Sequence, residues 1–148
     1  DGALGVVLNR ALAFTVEETF PPLGYLVPSG DPLFEGGPVE PESPVLLAEL
    51  SIPALADLLV FGSIGFLVGD VPEEIRPHIL RARIFAGYSG WGAGQLDMEL
   101  AVGSWFPVEG NRDDVFDPVP TDLWKRVLRR QQPHIARYAE YPTDLRSN

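Results

Sequence analysis

Gly87-Tyr88-Ser89-Gly90-Trp91-Gly92-Ala93-Gly94-Gln95-Leu96-Asp97-Met98-Glu99-Leu100 is the stretch on which the reading of this chain turns. The β-like run Arg83-Ile84-Phe85-Ala86 feeds it, and an apolar helical stripe at Leu96 and Leu100 leaves it, so it reads as a passage from strand to helix. Glycines at such a passage permit positive φ and let backbone N–H groups face outward. Two uses follow. Either the glycines allow close strand-to-helix packing around Trp91, or the Gly90–Gly94 turn seats an anion or a nucleotide edge. The known phosphate loops do not fit: in G-x-G-x-x-G the third glycine would fall where Gln95 stands, and no Gly-Lys pair exists for a P-loop.

Outward from that turn, the 148 residues suit one domain with a proper core. No cysteine occurs, which removes disulfides, zinc ribbons and thiol catalysis and fits a reducing cytoplasm. The longest apolar run, Leu58 to Val68, is broken by Gly62, Ser63 and Gly65 and falls short of the ~18 residues that span a bilayer, so no membrane partner is expected. The formal net charge of −10 opposes phosphate backbones. Lys125, Arg126, Arg129 and Arg130 do gather, but at the end of a predicted helix, where cations complement the macrodipole.

Along the chain, Asp1-Gly2 is a hairpin signal followed by a buried strand over Ala3–Asn9, which implies a partner strand before it and a missing N-terminal segment. Thr15 caps a short helix ending before Pro21-Pro22. Pro21–Pro44 reads as mostly loop, with a short strand at Leu33-Phe34-Glu35. Strands are expected at 45–50, 64–68, 83–88 and 104–108, helices from about 94 to 102 and after Thr121, a helix or turn starting at 72–75 and a short turn at 113–116. The tail 132–148 reads as irregular. This interleaving favours a mixed α+β sheet in a single domain, residues 1–148.

Candidate chemistry is sparse. Ser89 leaves a strand as a nucleophile elbow would, but Gly-Tyr-Ser-Gly-Trp is not G-x-S-x-G, and only His78 and His134 could serve as base. Both histidines read as solvent-facing. Asp97 and Glu99 project in different directions on a helix, whereas Gln95 and Glu99 share a face and could bond a ligand or the Gly36-Gly37 loop. No metal-ligand spacing is present, and neither a metal nor a cofactor is expected. Tyr88, Trp91, Trp105 and Trp124 read as core anchors, and Asn9 is placed to clamp a neighbouring loop.

Several segments together resemble one family. Gly2-Ala3-Leu4-Gly5-Val6-Val7-Leu8-Asn9-Arg10, Gly36-Gly37-Pro38-Val39, Gly87-Tyr88-Ser89-Gly90-Trp91 with Gly94-Gln95-Leu96, Ser104-Trp105 and Asp122-Leu123-Trp124-Lys125-Arg126 are similar, in order, to the motifs of the YqgE/AlgH family. The resemblance implies a bacterial, cytoplasmic protein of unassigned function, some of whose relatives are labelled transcriptional regulators. It also implies an α+β fold with a strongly bent, partly barrel-like sheet, preceded by a further strand pair. The chain departs from the pattern at Ala11, where relatives carry proline, at Val45–Ala48, where no histidine follows the Gly-Gly-Pro, and at Ser89, where alanine is common.

The leading expectation is a non-enzymatic binding or regulatory protein in which Asn9, Gly36, Gly37, Tyr88, Trp91 and Gln95 surround one cleft or rigid junction, with a small molecule or a protein as partner. These side chains are small, amide or aromatic, suited to holding and poor at proton transfer. The alternatives are a small-ligand or nucleotide-binding enzyme using the Gly90–Gly94 turn, and a direct DNA binder, which the charge disfavours. All rest on one geometric expectation: the glycine-rich bend and the Gly36-Gly37-Pro38 segment meet.

Overall fold

The structure is a computed structural model and describes residues 1–140. Seven strands form a mixed sheet: β1 (Ala3–Gly5), β2 (Ala11–Thr15), β3 (Pro32–Glu35), β4 (Val39–Leu50), β5 (Leu58–Phe61), β6 (Ile64–Leu67) and β7 (Ile79–Trp91). Their order is β2-β3-β7-β4-β6-β5, with β1 joined to the far end of β7. The sheet is open, β2 and β5 being the ends of that path. The chain is thus a single α+β domain, as expected. The helices are short: α1 (Val16–Thr19), α2 (Gln95–Ala101), α3 (Arg112–Val115), α4 (Leu123–Arg129) and α5 (Pro133–Ala136).

Side-chain alternation along β4 and β7 gives the sheet two buried faces. Leu46, Ala48 and Leu50 of β4 join Ala82, Ile84 and Ala86 of β7 in one cluster, closed by Val16, Val27 and Leu33. Leu47 and Phe85 point the other way and meet Phe34, Ile64, Phe66 and Val115. Phe34 and Phe85 are fully buried, their ring centroids 5.9 Å apart. β7 is the hub of the fold, antiparallel to β4 and β1 and parallel to β3.

Several elements differ from the sequence reading. β7 does not stop at Tyr88: its glycines kink the strand without ending it, and the ladder resumes with β1 at Gly5↔Ser89 and Ala3↔Trp91. The turn is therefore Gly92–Gly94, with Gly94 at φ +77° before α2. β1 is three residues long and half-buried, because the Val7 N–H leaves the ladder for the Gly36 carbonyl at 2.9 Å. Residues 39–44 belong to β4, not to a loop, and β2 and β5 were not foreseen. No strand forms at 104–108. The Ser104 N–H closes α2 on the Glu99 carbonyl at 2.9 Å, Pro107 offers no donor, and Trp105 and Phe106 pack on Trp91 and Tyr138 instead.

Thr15 does cap α1, its Oγ accepting from the Glu18 N–H at 3.1 Å. Residues 112–115 are a helix, held by a capping box between Asn111 and Asp114. Pro120–Asp122 is a 3-10 turn, so Asp122 and not Thr121 stands at the start of α4. Residues 133–140 are short helices packed on α4, not irregular tail, and 141–148 lie outside the described residues. Trp105 is 48% exposed and Trp124 37%, so neither anchors a core. His78 is half-buried, its Nδ1 2.9 Å from Ser51 Oγ, while His134 is exposed.

Candidate functional site

The two glycine segments meet. The Gly36 N–H donates to the Ala86 carbonyl at 3.0 Å, so the chain leaving β3 runs directly onto β7. A methyl group at Gly37 would fall within 2.5 Å of Ser89 N and closer still to the Tyr88 carbonyl group. At Gly87 it would lie 2.6 Å from the Gly37 carbonyl oxygen and 2.8 Å from that of Val39, and φ there is +73°. Each backbone occupies the space that the other's side chain would need.

The six residues expected at this junction fare differently. Gly36 and Gly37 are buried in it, and Tyr88 and Trp91 are half-buried beside it. Trp91 stacks edge-on against Trp105, centroids 5.8 Å apart, and covers Gly5. Gln95 turns back on its own helix, its Oε1 accepting from the Gly92 N–H at 3.0 Å, so that turn amide is already engaged. Glu99, on the same face, has a buried Oε2 without a hydrogen-bond partner among the described residues. Asn9 is exposed in the bend between β1 and β2. The Ser89 hydroxyl reaches the Gly36 carbonyl at 3.5 Å. The junction is closed packing, and none of the four cavities described is lined by any of the six.

Titratable chemistry collects earlier on β7, where Arg81 and Arg83 project from one face of the strand. Arg81 is matched by carboxylates: its Nε donates to Glu49 at 3.0 Å and its Nη2 to Asp113 at 2.9 Å. Burial pulls its pKa down, yet these two bonds outweigh it and hold Arg81 above the usual arginine value. Arg83 is 6% exposed and lies 4.4 Å over the Phe34 ring. Its Nη1 donates to the carbonyls of Val115 at 3.2 Å and Asp117 at 2.9 Å, while its buried Nε has no partner among the described residues. Burial, only partly offset by the charges of Asp31 and Asp117, pulls Arg83 below the usual value. Burial likewise raises Asp31 against the opposing pull of Arg83.

A notch in the sheet accounts for the open space here. The β3–β7 ladder begins at Phe34↔Phe85, so Leu80–Arg83 have β4 on one side and no strand on the other. The gap is a cavity of about 320 Å³ walled by Tyr25–Pro28, Asp31, Phe116 and Pro118. Sequence reading missed this place. Its signal was a pair of arginines within an apolar strand, where an unmatched charge is costly. At the other end of the sheet, β5 exposes all four of its apolar residues, and a trough of about 460 Å³ runs between it and Gly2–Leu8.

The three arginines at the C-terminal half of α4 and just after it are tied. Arg130 grips Asp114 through two bonds, 2.8 and 2.6 Å, and chiefly this pairing holds Asp114 below the ordinary carboxylate value. Arg126 pairs with Asp117, and Arg129 with Glu140 at 3.3 Å. Among the described residues no helix is long and apolar enough to cross a membrane, and no cluster of three or more His, Asp or Glu is arranged to hold a metal.

An open mixed sheet whose central strand is clasped by a glycine pair defines the class: a small α+β domain built on a backbone-to-backbone junction. A family model described as AlgH-like matches residues 1–136. The chain is 40% identical to a UPF0301 protein of Streptomyces avermitilis, over 97% of this chain and 78% of that one. It is 38% identical to a UPF0301 protein of Mycolicibacterium smegmatis, over 99% of this chain and 76% of that one. The crystal structure of a Corynebacterium diphtheriae protein superposes with a TM-score of 0.82 at 29% identity, covering 95% of this chain and 76% of that one. The solution structure of the AlgH protein from Pseudomonas aeruginosa shares the fold, with a TM-score of 0.65 at 24% identity over 86% of this chain and 71% of that one. The chain belongs to the YqgE/AlgH family.

Proposed function

We infer that this is a non-enzymatic binding or regulatory protein, working in the cytoplasm on a small molecule or a protein, with the glycine junction as the rigid frame of its binding face. The observation that carries the reading is the contact of Gly37 with Tyr88 and Ser89, which leaves no room for a methyl group. The side chains around it hold their neighbours: Ser89 bonds Gly36, Gln95 bonds Gly92, and Trp91 packs on Trp105. Such groups position a surface and offer little to a proton-transfer step. In this reading Asn9, Tyr88, Trp91 and Gln95 present the face, and Gly36 and Gly37 fix its shape.

Direct binding to nucleic acid is not part of the reading. The net charge is −10, and Arg126, Arg129 and Arg130 are already paired with carboxylates. The test is a thermal-shift screen with nucleotides and small metabolites, beside fluorescence anisotropy with random duplex DNA. Stabilisation by a compound that is recovered unchanged supports the reading. Turnover of any compound, or duplex binding with a steep salt dependence, overturns it.

A further inference from the structure

We propose that the notch beside Arg83 is a binding site for a small organic monocarboxylate, its carboxylate paired side-on with the Nε/Nη2 edge of the guanidinium. The proposal rests on the reading of a binding protein, but it places a ligand away from the glycine junction.

Arg83 carries the argument. A guanidinium offers parallel N–H pairs that match the two oxygens of a carboxylate or phosphate. Here the Nη1 corner is occupied by the carbonyls of Val115 and Asp117. Arg83 lines the cavity, and the edge left over is Nε/Nη2, whose Nε–H is buried with no acceptor among the described residues. An unpaired buried donor on a cation is costly to keep. Arg83 is 6% exposed and fixed over the Phe34 ring, so it cannot swing out to water as a surface arginine does. An acceptor that enters the notch would remove that cost.

Charge selects the ligand. The cavity holds the Arg83 guanidinium, which has no ion pair among the described residues, and on its wall the Asp31 carboxyl, whose charge offsets that cation only in part. Arg81 is spoken for by Glu49 and Asp113. A dianionic phosphate would bring two charges against one guanidinium, beside Asp31, in a chain of net charge −10. A monoanion matches. Leu26, Val27, Leu80, Phe116 and Pro118 supply an apolar wall, so the carboxylate is expected to carry a compact apolar body. A volume of about 320 Å³ suits such a molecule.

The experiment titrates the full chain, labelled with nitrogen-15, with benzoate, phenylacetate and hexanoate. Benzamide and inorganic phosphate are the controls, and the readouts are the Arg83 Nε–H resonance, assigned by its loss in Arg83→Lys, and the backbone amide resonances of the notch residues Val27, Ala82 and Phe116, which also follow binding in the variants. The expected result is a saturable shift of that resonance with at least one carboxylate. Benzamide and phosphate should bind at least tenfold more weakly, and Arg83→Lys should lose at least tenfold because an ammonium cannot pair side-on. Asp31→Asn, which removes the competing carboxyl, should tighten binding at least threefold. Equal binding of benzoate and benzamide, unchanged affinity in Arg83→Lys, or no saturable shift with any of the three acids overturns the site. Should Arg83→Lys fail to fold, the wild-type ligand comparison still decides. The Trp91 indole resonance, followed in the same titrations, separates the two readings: shifts there with a silent Arg83 sink the notch and leave the junction standing.

Discussion

At Tyr88 the strand β7 is pressed so tightly on Gly37 that no side chain fits between them, whereas at Arg83 the same strand borders an empty notch. The junction has traded every cavity for contact. The notch keeps both space and an unmatched donor. Arg81 and Arg83 repeat the contrast at closer range. Each lies over a phenylalanine, Phe116 at 4.5 Å and Phe34 at 4.4 Å. The more exposed arginine has two carboxylates, and the buried one has only carbonyls. Burial raises the cost of a charge, so the better-buried cation should be the better-paired one. The reversal marks the notch as the place where the chain leaves something for another molecule to supply.

The largest effect is expected at Gly37→Ala, which forces two backbones apart and should cost roughly 3 kcal/mol or more in urea denaturation. A loss below about 1 kcal/mol would mean the junction is pliable, and the contrast with the notch would fail. Next comes the matched pair Asp114–Arg130. Asp114→Asn should cost about 2 kcal/mol at neutral pH, since charge-assisted bonds to Arg130 are lost. Asp114 is held below the usual 3.8, so its stabilisation is complete above that value and fades as pH falls through the folded pKa. Asp31 is held above 3.8, so its ionisation weighs against the fold as pH rises through its folded pKa. Urea midpoints from about pH 2 to 7 (below and above the usual carboxylate range) should therefore show Asp114→Asn falling behind the wild type as pH rises toward 3.8, and Asp31→Asn gaining on it as pH rises beyond 3.8. Parallel trends would erase the distinction between paired and unpaired acids.

The two arginines give a finer test. Arg81→Met leaves Glu49, 6% exposed, with Arg112 and the Ser63 hydroxyl, each at 3.5 Å, and should cost about 2 kcal/mol. Arg83→Met strands no carboxylate and should cost about 1 kcal/mol, mostly for the two carbonyls. The reverse order would place the unmatched charge at Arg81. Smallest of all, Gly92→Ala adds a methyl group that meets only Gln95 Oε1, at 3.8 Å, and should stay within about 0.5 kcal/mol.

Much of this arrangement could be read before the fold was known. The strand–turn–helix at Gly87–Leu100, the Thr15 cap and the strands at Leu33 and Ile64 all carry local signals: glycine, an N-capping hydroxyl, an apolar run. The meeting of Gly36-Gly37 with Gly87–Ser89 was legible too, since glycines in pairs point to close backbone approach. β5 gave no alternation to read, because all four of its residues face out. Residues 104–108 looked like a strand because aromatics favour strands, but Pro107 offers no donor and the aromatics pack by their rings on Trp91 and Tyr138 instead. Asn9 and Gln95 were placed by residue type, and type does not say that Gln95 would bond its own turn. Arg83 was visible only as a charge in an apolar run. Its bare guanidinium edge is set by where β3 begins, a distance no local pattern encodes.

The reach of β7 has a consequence for how this domain comes into being. Its ladder partners arrive from Ala3, Phe34 and Leu46, long stretches of chain away, while the helices around it are too brief to act as seeds. Loop closure must precede most of the reward, so refolding from denaturant is expected on the slow side, in milliseconds to seconds. The hairpin of β5 and β6 is the most local pairing and is expected to form early, with the strand that carries both the clasp and the notch locking last.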